Sequence, residues 1–376
     1  MKYFRFKFSP IEKAQFLRET LRTISHGQFV SGLAVSKFEN EFSSSLGSDC
    51  AVGCANGLDA LRISVRVLNL PKGSHVAVSA HTFFATWLAI LSEGHIPIGI
   101  DADLVNGQMD PKKLEDELKR NSKIKAVIYV HMHGIAGEIK AITSICDFKR
   151  IPLIEDCAQA HGLELDGRQA GRFGLLAAFS FYPTKNLPAF GDAGCVVTNF
   201  ENEAQVRSIA NYGWKPGSRD LHSVIGMNSR LDTIQASFLS LMLKKLGKNN
   251  ALRQSIARSY MQEINKDSSI KVLGATTNSV WHHFAILTED REKLSKFLLA
   301  RGIPTEIHYR TACHLQPALE NLGTTLDYGV GSFPNAEYIS NHVLSIPLHP
   351  WISDGEVRKV VKAFSDWREF ERITTD

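Results

Sequence analysis

Between residues 75 and 156 short apolar runs alternate with amphipathic stretches, and that alternation limits the fold more than any other feature of the chain. His75–Ser79 reads as a strand, Thr86–Ser92 as a helix, Pro97–Asp101 as a strand and Pro111–Arg120 as a helix. Lys125–His131 is a strong strand, Ile139–Lys149 a helix and Pro152–Asp156 a strand again. Parallel strands need a crossover between them, and the intervening helices supply it. The pattern predicts an α/β fold with a mostly parallel sheet covered by helices on both faces. Upstream, residues 10–24 and 32–45 carry helical apolar spacing on either side of Ser25–Gly32. Near Thr233 the alternation gives way to two helical stretches, Leu231–Leu246 and Ala251–Ile264, which lead out of the large domain. The tail mixes strand (Val280–Leu287), helix (Glu292–Arg301), strand (Thr305–His308) and a last helix (Asp354–Trp367), the texture of a smaller α+β domain. At 376 residues the chain exceeds what one hydrophobic core usually serves. The expected division is a large domain over 1–245 and a small one over 246–376.

Composition removes several classes of function. The net charge is +4 and the basic residues are dispersed rather than striped, which argues against nucleic acid as a partner. The six cysteines are too few and too scattered for a disulfide framework. Cys50 and Cys54 lack a second pair at zinc-ligand spacing, so they read as small buried residues and no metal is expected. Met1–Phe6 has no signal-peptide core, and no run of eighteen apolar residues occurs, so the expectation is a cytoplasmic enzyme with no membrane partner.

Two strand ends carry chemistry. Lys185 follows the apolar run Leu175–Phe181 and precedes Phe190-Gly191-Asp192-Ala193-Gly194 and a further strand, Cys195–Thr198. An amine at the end of a buried strand tends to lose its proton and becomes a nucleophile able to form a Schiff base. The run Ile151–Ile154 ends in Glu155 and Asp156 with polar groups just beyond. Ligands of open α/β sheets sit beyond such carboxyl ends. Pyridoxal phosphate needs a lysine for its aldehyde and a carboxylate to keep its pyridine nitrogen protonated. Lys185 and Asp156 suit those two tasks.

Ordered motifs over nearly the whole chain point the same way. They are Ala55-Asn56-Gly57-Leu58-Asp59-Ala60-Leu61, Thr82-Phe83-Phe84-Ala85-Thr86-Trp87 and Glu155-Asp156-Cys157-Ala158-Gln159-Ala160-His161-Gly162. Ser180 to Lys185 follows, then Asn228-Ser229-Arg230-Leu231-Asp232-Thr233-Ile234-Gln235-Ala236, Ile307-His308-Tyr309, His314-Leu315-Gln316-Pro317 and Leu344 to Pro350. On these the chain resembles the DegT/StrS family of pyridoxal-phosphate-dependent sugar aminotransferases. The resemblance implies the aspartate aminotransferase fold (fold type I), with a seven-stranded sheet in the large domain. It also implies a homodimer with shared active sites, L-glutamate as amino donor and a nucleotide-linked keto sugar as acceptor.

The resemblance assigns roles residue by residue. Lys185 would hold the cofactor and then shuttle a proton, with Asp156 on the ring nitrogen and Gln159 on the phenolic oxygen. Gly57, Leu58 and Ser180 would meet the phosphate, Phe83 would lie against the ring, and Asn228 would come from the neighbouring subunit. Taken alone, Asn56-Gly57-Leu58 is equally an ordinary glycine turn, and Phe83 reads more readily as core packing than as a ring contact. His161, Tyr182, Lys215, Arg219, His308, Tyr309 and Arg310 are the candidate substrate contacts, the basic ones because cations suit a diphosphate. His161 reads equally as a satisfied core histidine. The chain departs from the family at Leu58, where a hydroxyl residue is usual, and at Arg310, where proline is common. The Tyr212–Asn228 loop is also slightly longer than usual. The wording from Ala85 to Ile90 and from Tyr212 to Asp232 looks most like the branch acting on dTDP-3-keto-6-deoxyhexoses. Trp87 and the loop are the expected selectors against 4-keto sugars. The alternative within the family is an aminotransferase acting on 4-keto nucleotide sugars, and two rivals outside it are sugar 3-dehydration, where histidine replaces the lysine, and a regulatory domain that binds without turnover. The presence of Lys185 together with Asp156, Gln159 and Ser180 opposes both.

Overall fold

The computed structural model describes residues 1–215, 217, 218, 220–320, 326 and 328–375, with the side chains of 374 and 375 outside the description. The strands, in chain order, are β1 (Cys50–Cys54), β2 (His75–Ser79), β3 (Ile96–Ile100), β4 (Ile124–Val130), β5 (Leu153–Asp156), β6 (Glu164–Leu165), β7 (Arg168–Gln169), β8 (Leu176–Ser180), β9 (Gly194–Thr198), β10 (Ile270–Val272), β11 (Phe284–Thr288) and β12 (Val343–Ile346). Seven of them form one sheet in the order β1-β9-β8-β5-β4-β2-β3. Five neighbours run parallel from β8 to β3, and β9 is antiparallel to both β8 and β1.

Alternation along each strand sends side chains to opposite cores. Val76, Val78, Ala126, Ile128 and Ile154 meet the helices Gly57–Val67 and Ala85–Ser92 on one face. Ala77, Ile98, Val127, Tyr129 and Leu153 meet Pro111–Arg120 and Ile139–Lys149 on the other. Phe38 and Phe42 of the helix Leu33–Leu46 then pack with Phe179 of β8 and Leu239 of the helix Thr233–Leu243. The expected α/β architecture with a mostly parallel seven-stranded sheet is therefore present.

The C-terminal unit has its own core. Strands β10, β11 and β12 form a three-stranded sheet against the helices Leu246–Ile264, Arg291–Ala300 and Asp354–Thr375. Here the readings from sequence need four corrections. Thr305–His308 is no strand: only Glu306 pairs, with both backbone bonds to Ser345, and the chain then turns away. The strand expected from Val280 starts at Phe284, because Val280 and His282 spend their amides on the Gly134 and His133 carbonyls. The two long helices meet at Lys244–Lys245, and the last helix runs on to Thr375.

Residues 1–9 cross between the two units. The Arg5 guanidinium donates to both oxygens of Glu356 and to the Trp351 carbonyl. Phe4 and Phe6 lie edge-on to Trp351, and Phe8 reaches Phe190 and Phe238 of the large unit.

Candidate active site

Three neighbouring parallel strands, β4, β5 and β8, end at the same edge of the sheet and deliver Val130, Asp156 and Ser180 to one cavity of about 530 Å³. Asp156 is buried. Its Oδ2 accepts a hydrogen bond from the Thr86 hydroxyl at 2.9 Å, and its Oδ1 accepts the Ala158 amide at 3.1 Å. Burial raises its pKa, while those two donors and the charge of Lys185 pull it back. The carboxyl is thus aimed and partly desolvated.

Lys185 enters the cavity from the loop between β8 and β9. Its amide closes a turn on the Tyr182 carbonyl, and Phe181 and Ala189 pair across the loop. The next residue, Asn186, is clamped inside: its amide group donates to Asn250 and to the Val280 carbonyl, and its oxygen meets His282 Nδ1 at 3.2 Å. Those anchors leave the lysine side chain pointing outward into the cavity. Burial lowers its pKa to about 8, against which Asp156 acts in the opposite direction. A fraction of the amine is therefore neutral near neutrality, as a nucleophile needs.

A cradle lies opposite. Asn56 caps the helix Gly57–Val67, its side-chain oxygen accepting the Asp59 amide at 2.8 Å. The remaining first-turn amides have no partner within the helix and carry its positive dipole end, the usual setting for a phosphate. A Cβ on residue 57 would sit within the Ser180 side chain, so glycine keeps this helix end against the Ser180 hydroxyl. Leu58 lines the cavity too. An amine, a buried carboxyl and an amide cradle around one space are the donor set that pyridoxal phosphate requires, and the residues present fit it.

The far wall holds aromatic and imidazole groups. Phe83 and Tyr309 lie 5.2 Å apart between ring centres. Gln159 donates from Nε2 to the Tyr309 oxygen at 3.3 Å and accepts the His133 amide on Oε1. Tyr182, His282, His283 and His308 complete the lining with Thr82, Thr184 and Asp192. Among the described lining residues Lys185 is the single lysine or arginine.

Several expected contacts lie elsewhere. His161 is fully buried behind β8, its ring 5.5 Å from Phe179 and 5.6 Å from Phe181, so it faces the core and not the cavity. Arg310 is exposed and pairs with Glu292. Lys215 is exposed and outside the lining, as is Asn228, and Arg219 falls outside the described residues. Trp87 is completely buried, its indole N–H donating to the Ser79 carbonyl at 3.0 Å, so it cannot touch a substrate. The sequence reading missed Thr86 as the donor to Asp156, the Asn186 clamp and the pair His282–His283. Two adjacent histidines heading an apolar run were the available signal. It also passed over Glu155, whose buried carboxylate accepts the amides of Gly171, Phe173 and Gly174 and meets His131 Nε2 at 2.8 Å. These bonds give the buried cluster of His131, Glu155 and Cys157 a structural explanation.

Residues 10–365 match the DegT/DnrJ/EryC1/StrS aminotransferase family. The chain belongs to that family. It is 34% identical to the dTDP-3-amino-3,4,6-trideoxy-alpha-D-glucose transaminase of Streptomyces venezuelae, over 93% of this chain and 90% of the relative. It is 36% identical to the dTDP-3-amino-3,6-dideoxy-alpha-D-galactopyranose transaminase of Aneurinibacillus thermoaerophilus, over 91% and 92%. The crystal structure of S. venezuelae DesV in complex with a ketimine intermediate superposes with a TM-score of 0.89, at 34% identity and 94% coverage of each chain. As a member of the DegT/DnrJ/EryC1/StrS family, the protein is a sugar aminotransferase. Among the described residues no helix is long and apolar enough to cross a membrane.

Proposed function

We propose that the enzyme uses pyridoxal phosphate to move an amino group from L-glutamate to the C3 ketone of a dTDP-linked 3-keto-6-deoxyhexose. The convergence of Lys185 and Asp156 on one cavity carries the reading. The choice of sugar is supported by the two relatives named above, both of which are 3-amino sugar transaminases. The transfer is redox-balanced: glutamate's C–N carbon becomes the ketone of 2-oxoglutarate as the sugar ketone becomes an amine.

When bound, pyridoxal phosphate supplies an electron sink for the carbanion that forms as a proton leaves the donor. The protein does the rest. Asp156, held by Thr86 and Ala158, keeps a proton on the ring nitrogen. The Gly57 and Leu58 amides with the Ser180 hydroxyl would hold the phosphate, Gln159 would meet the phenolic oxygen, and Phe83 would lie against the ring. Leu58 offers its amide but no hydroxyl, so retention rests more heavily on Ser180 and the helix end. The amine of Lys185 would move a proton between the donor's α-carbon and the cofactor's C4′ carbon, a task suited to a pKa near 8. Tyr182, His308 and Tyr309 face the sugar. In a homodimer Asn228 would reach the partner's cavity, where the diphosphate needs a cation beyond Lys185, the single lysine or arginine among the described lining residues.

The test is a single turnover. Enzyme carrying the amino group of glutamate is mixed in turn with dTDP-3-keto- and dTDP-4-keto-6-deoxyglucose, and return of the original cofactor absorbance is followed. Recovery with the 3-keto sugar alone is the expected result. Recovery with the 4-keto sugar alone overturns the regiochemistry, and recovery with neither overturns the substrate class.

A further inference from the structure

We propose that His283, stacked on His308, forms a subsite for the carboxylate of the amino donor; this rests on the aminotransferase reading above. The two imidazoles lie 3.7 Å apart with an interplanar angle of 18° and both line the cavity. Each arrives from a different segment. His283 immediately precedes β11, its amide bonded to the His133 carbonyl, and His308 follows the Glu306–Ser345 bridge. The Ser345 hydroxyl holds His308 Nδ1 at 2.8 Å, which leaves Nε2 open. Among the described residues no hydrogen bond reaches either ring nitrogen of His283. His282 by contrast is tied down by Asn186. A partly buried, stacked ring with both nitrogens unspent has hydrogen-bonding capacity to offer a ligand in the cavity.

The chemistry of that ligand follows from charge and reach. Burial holds both imidazoles below their ordinary pKa, so they stack without repelling each other and can each offer one N–H. One N–H from each of two adjacent rings can serve the two oxygens of an oxyanion. Lys185 is close enough for its charge to depress both rings further. The donor's α-carboxylate is attached to the very carbon that Lys185 deprotonates. The nucleotide diphosphate is a sugar ring away from the reacting ketone. The carboxylate is therefore the oxyanion this pair meets. With Lys185 committed to proton transfer, no other lysine or arginine of the described lining competes for it.

The experiment is calorimetry on the cofactor-loaded enzyme with glutarate, the five-carbon dicarboxylate without an amine, and separately with dTDP. His283→Phe keeps a ring over His308 and removes both nitrogens; His283→Asn keeps a donor. Glutarate affinity should fall about tenfold or more in H283F and be largely retained in H283N, with dTDP affinity unchanged in both. In turnover, KM for glutamate should rise in H283F with KM for the nucleotide sugar unmoved. Unchanged glutarate affinity in H283F would mean that the ring serves only to pack, and overturns the proposal. A loss confined to dTDP would make the oxyanion a phosphate and overturn it equally. Binding is read without turnover, so absence of amino transfer in the wild type would sink the functional reading while leaving this subsite separately measured.

Discussion

A Cβ on Gly57 would lie 2.5 Å from the Cβ of Ser180, well inside contact distance. The start of the Gly57–Val67 helix and the end of β8 thus adjoin through a missing side chain. Gly57→Ala must push the two apart or twist the helix end, and overpacking of this kind costs about 1–3 kcal/mol. We expect a matching fall in Tm and faster loss of cofactor on dialysis. Normal retention of pyridoxal phosphate in the variant would show that the cradle does not hold the phosphate.

The amine of Lys185 should titrate near 8 in place of its ordinary 10.5. Capture of pyridoxal phosphate by the apoenzyme should therefore accelerate with pH up to about 8 and then level off. A folded-state pKa below the unfolded one means that the unfolded chain binds more protons across that interval. Apoenzyme stability should accordingly rise between about pH 8 and 10.5, by an amount on the order of a few kcal/mol. Stopped-flow absorbance and urea melts across that range check both limbs. Capture that keeps accelerating to pH 10 would mean that the lysine is solvated.

Asp156→Asn removes the neighbour whose charge raises the Lys185 pKa. The midpoint of cofactor capture should move below 8, to lower pH. Turnover should fall by about 100-fold or more, because an amide does not keep the ring nitrogen charged. An unshifted midpoint would place Asp156 outside electrostatic reach of the amine.

Trp87→Phe deletes a buried N–H that bonds to Ser79 and leaves a void beside β2. The expected cost is about 1–3 kcal/mol in stability, seen in urea melts. The preference between 3-keto and 4-keto sugars should not move, since the indole is sealed from the cavity. A changed preference would restore Trp87 as a selector, acting through the Ala85–Ser92 helix.

Periodicity made the large sheet legible. From β2 to β5 each parallel strand is a short apolar segment next to a helix of clear spacing, so His75–Ser79, Pro111–Arg120 and Ile139–Lys149 were read to the residue. Asp156 was legible because a charged group ending an apolar run announces a strand edge, and Lys185 because it stands on the loop just beyond one. Direction was harder to read. His161 follows the turn that starts at Cys157, so no strand alternation tells which way its ring points, and it turned inward between two phenylalanines. Contacts joining distant segments were invisible: Thr86 to Asp156, Asn186 to Asn250, Glu155 to the Gly171–Gly174 amides. The false strand at Thr305–His308 has the right residues, but a single bridge to Ser345 satisfies its backbone.

Arg5 and Glu356 meet across a separation of 351 residues. Synthesis runs from the amino end, so Arg5 leaves the ribosome almost a whole chain ahead of the carboxylate that fixes it. Until the chain around Trp351 emerges, Phe4 and Phe6 travel as an unsheltered aromatic tail beside a large unit already able to collapse around Phe8. Closure of this strap thus waits until Glu356 has emerged, and the stretch of synthesis before it is where a nascent copy is most exposed to chaperones and to its neighbours on the same message.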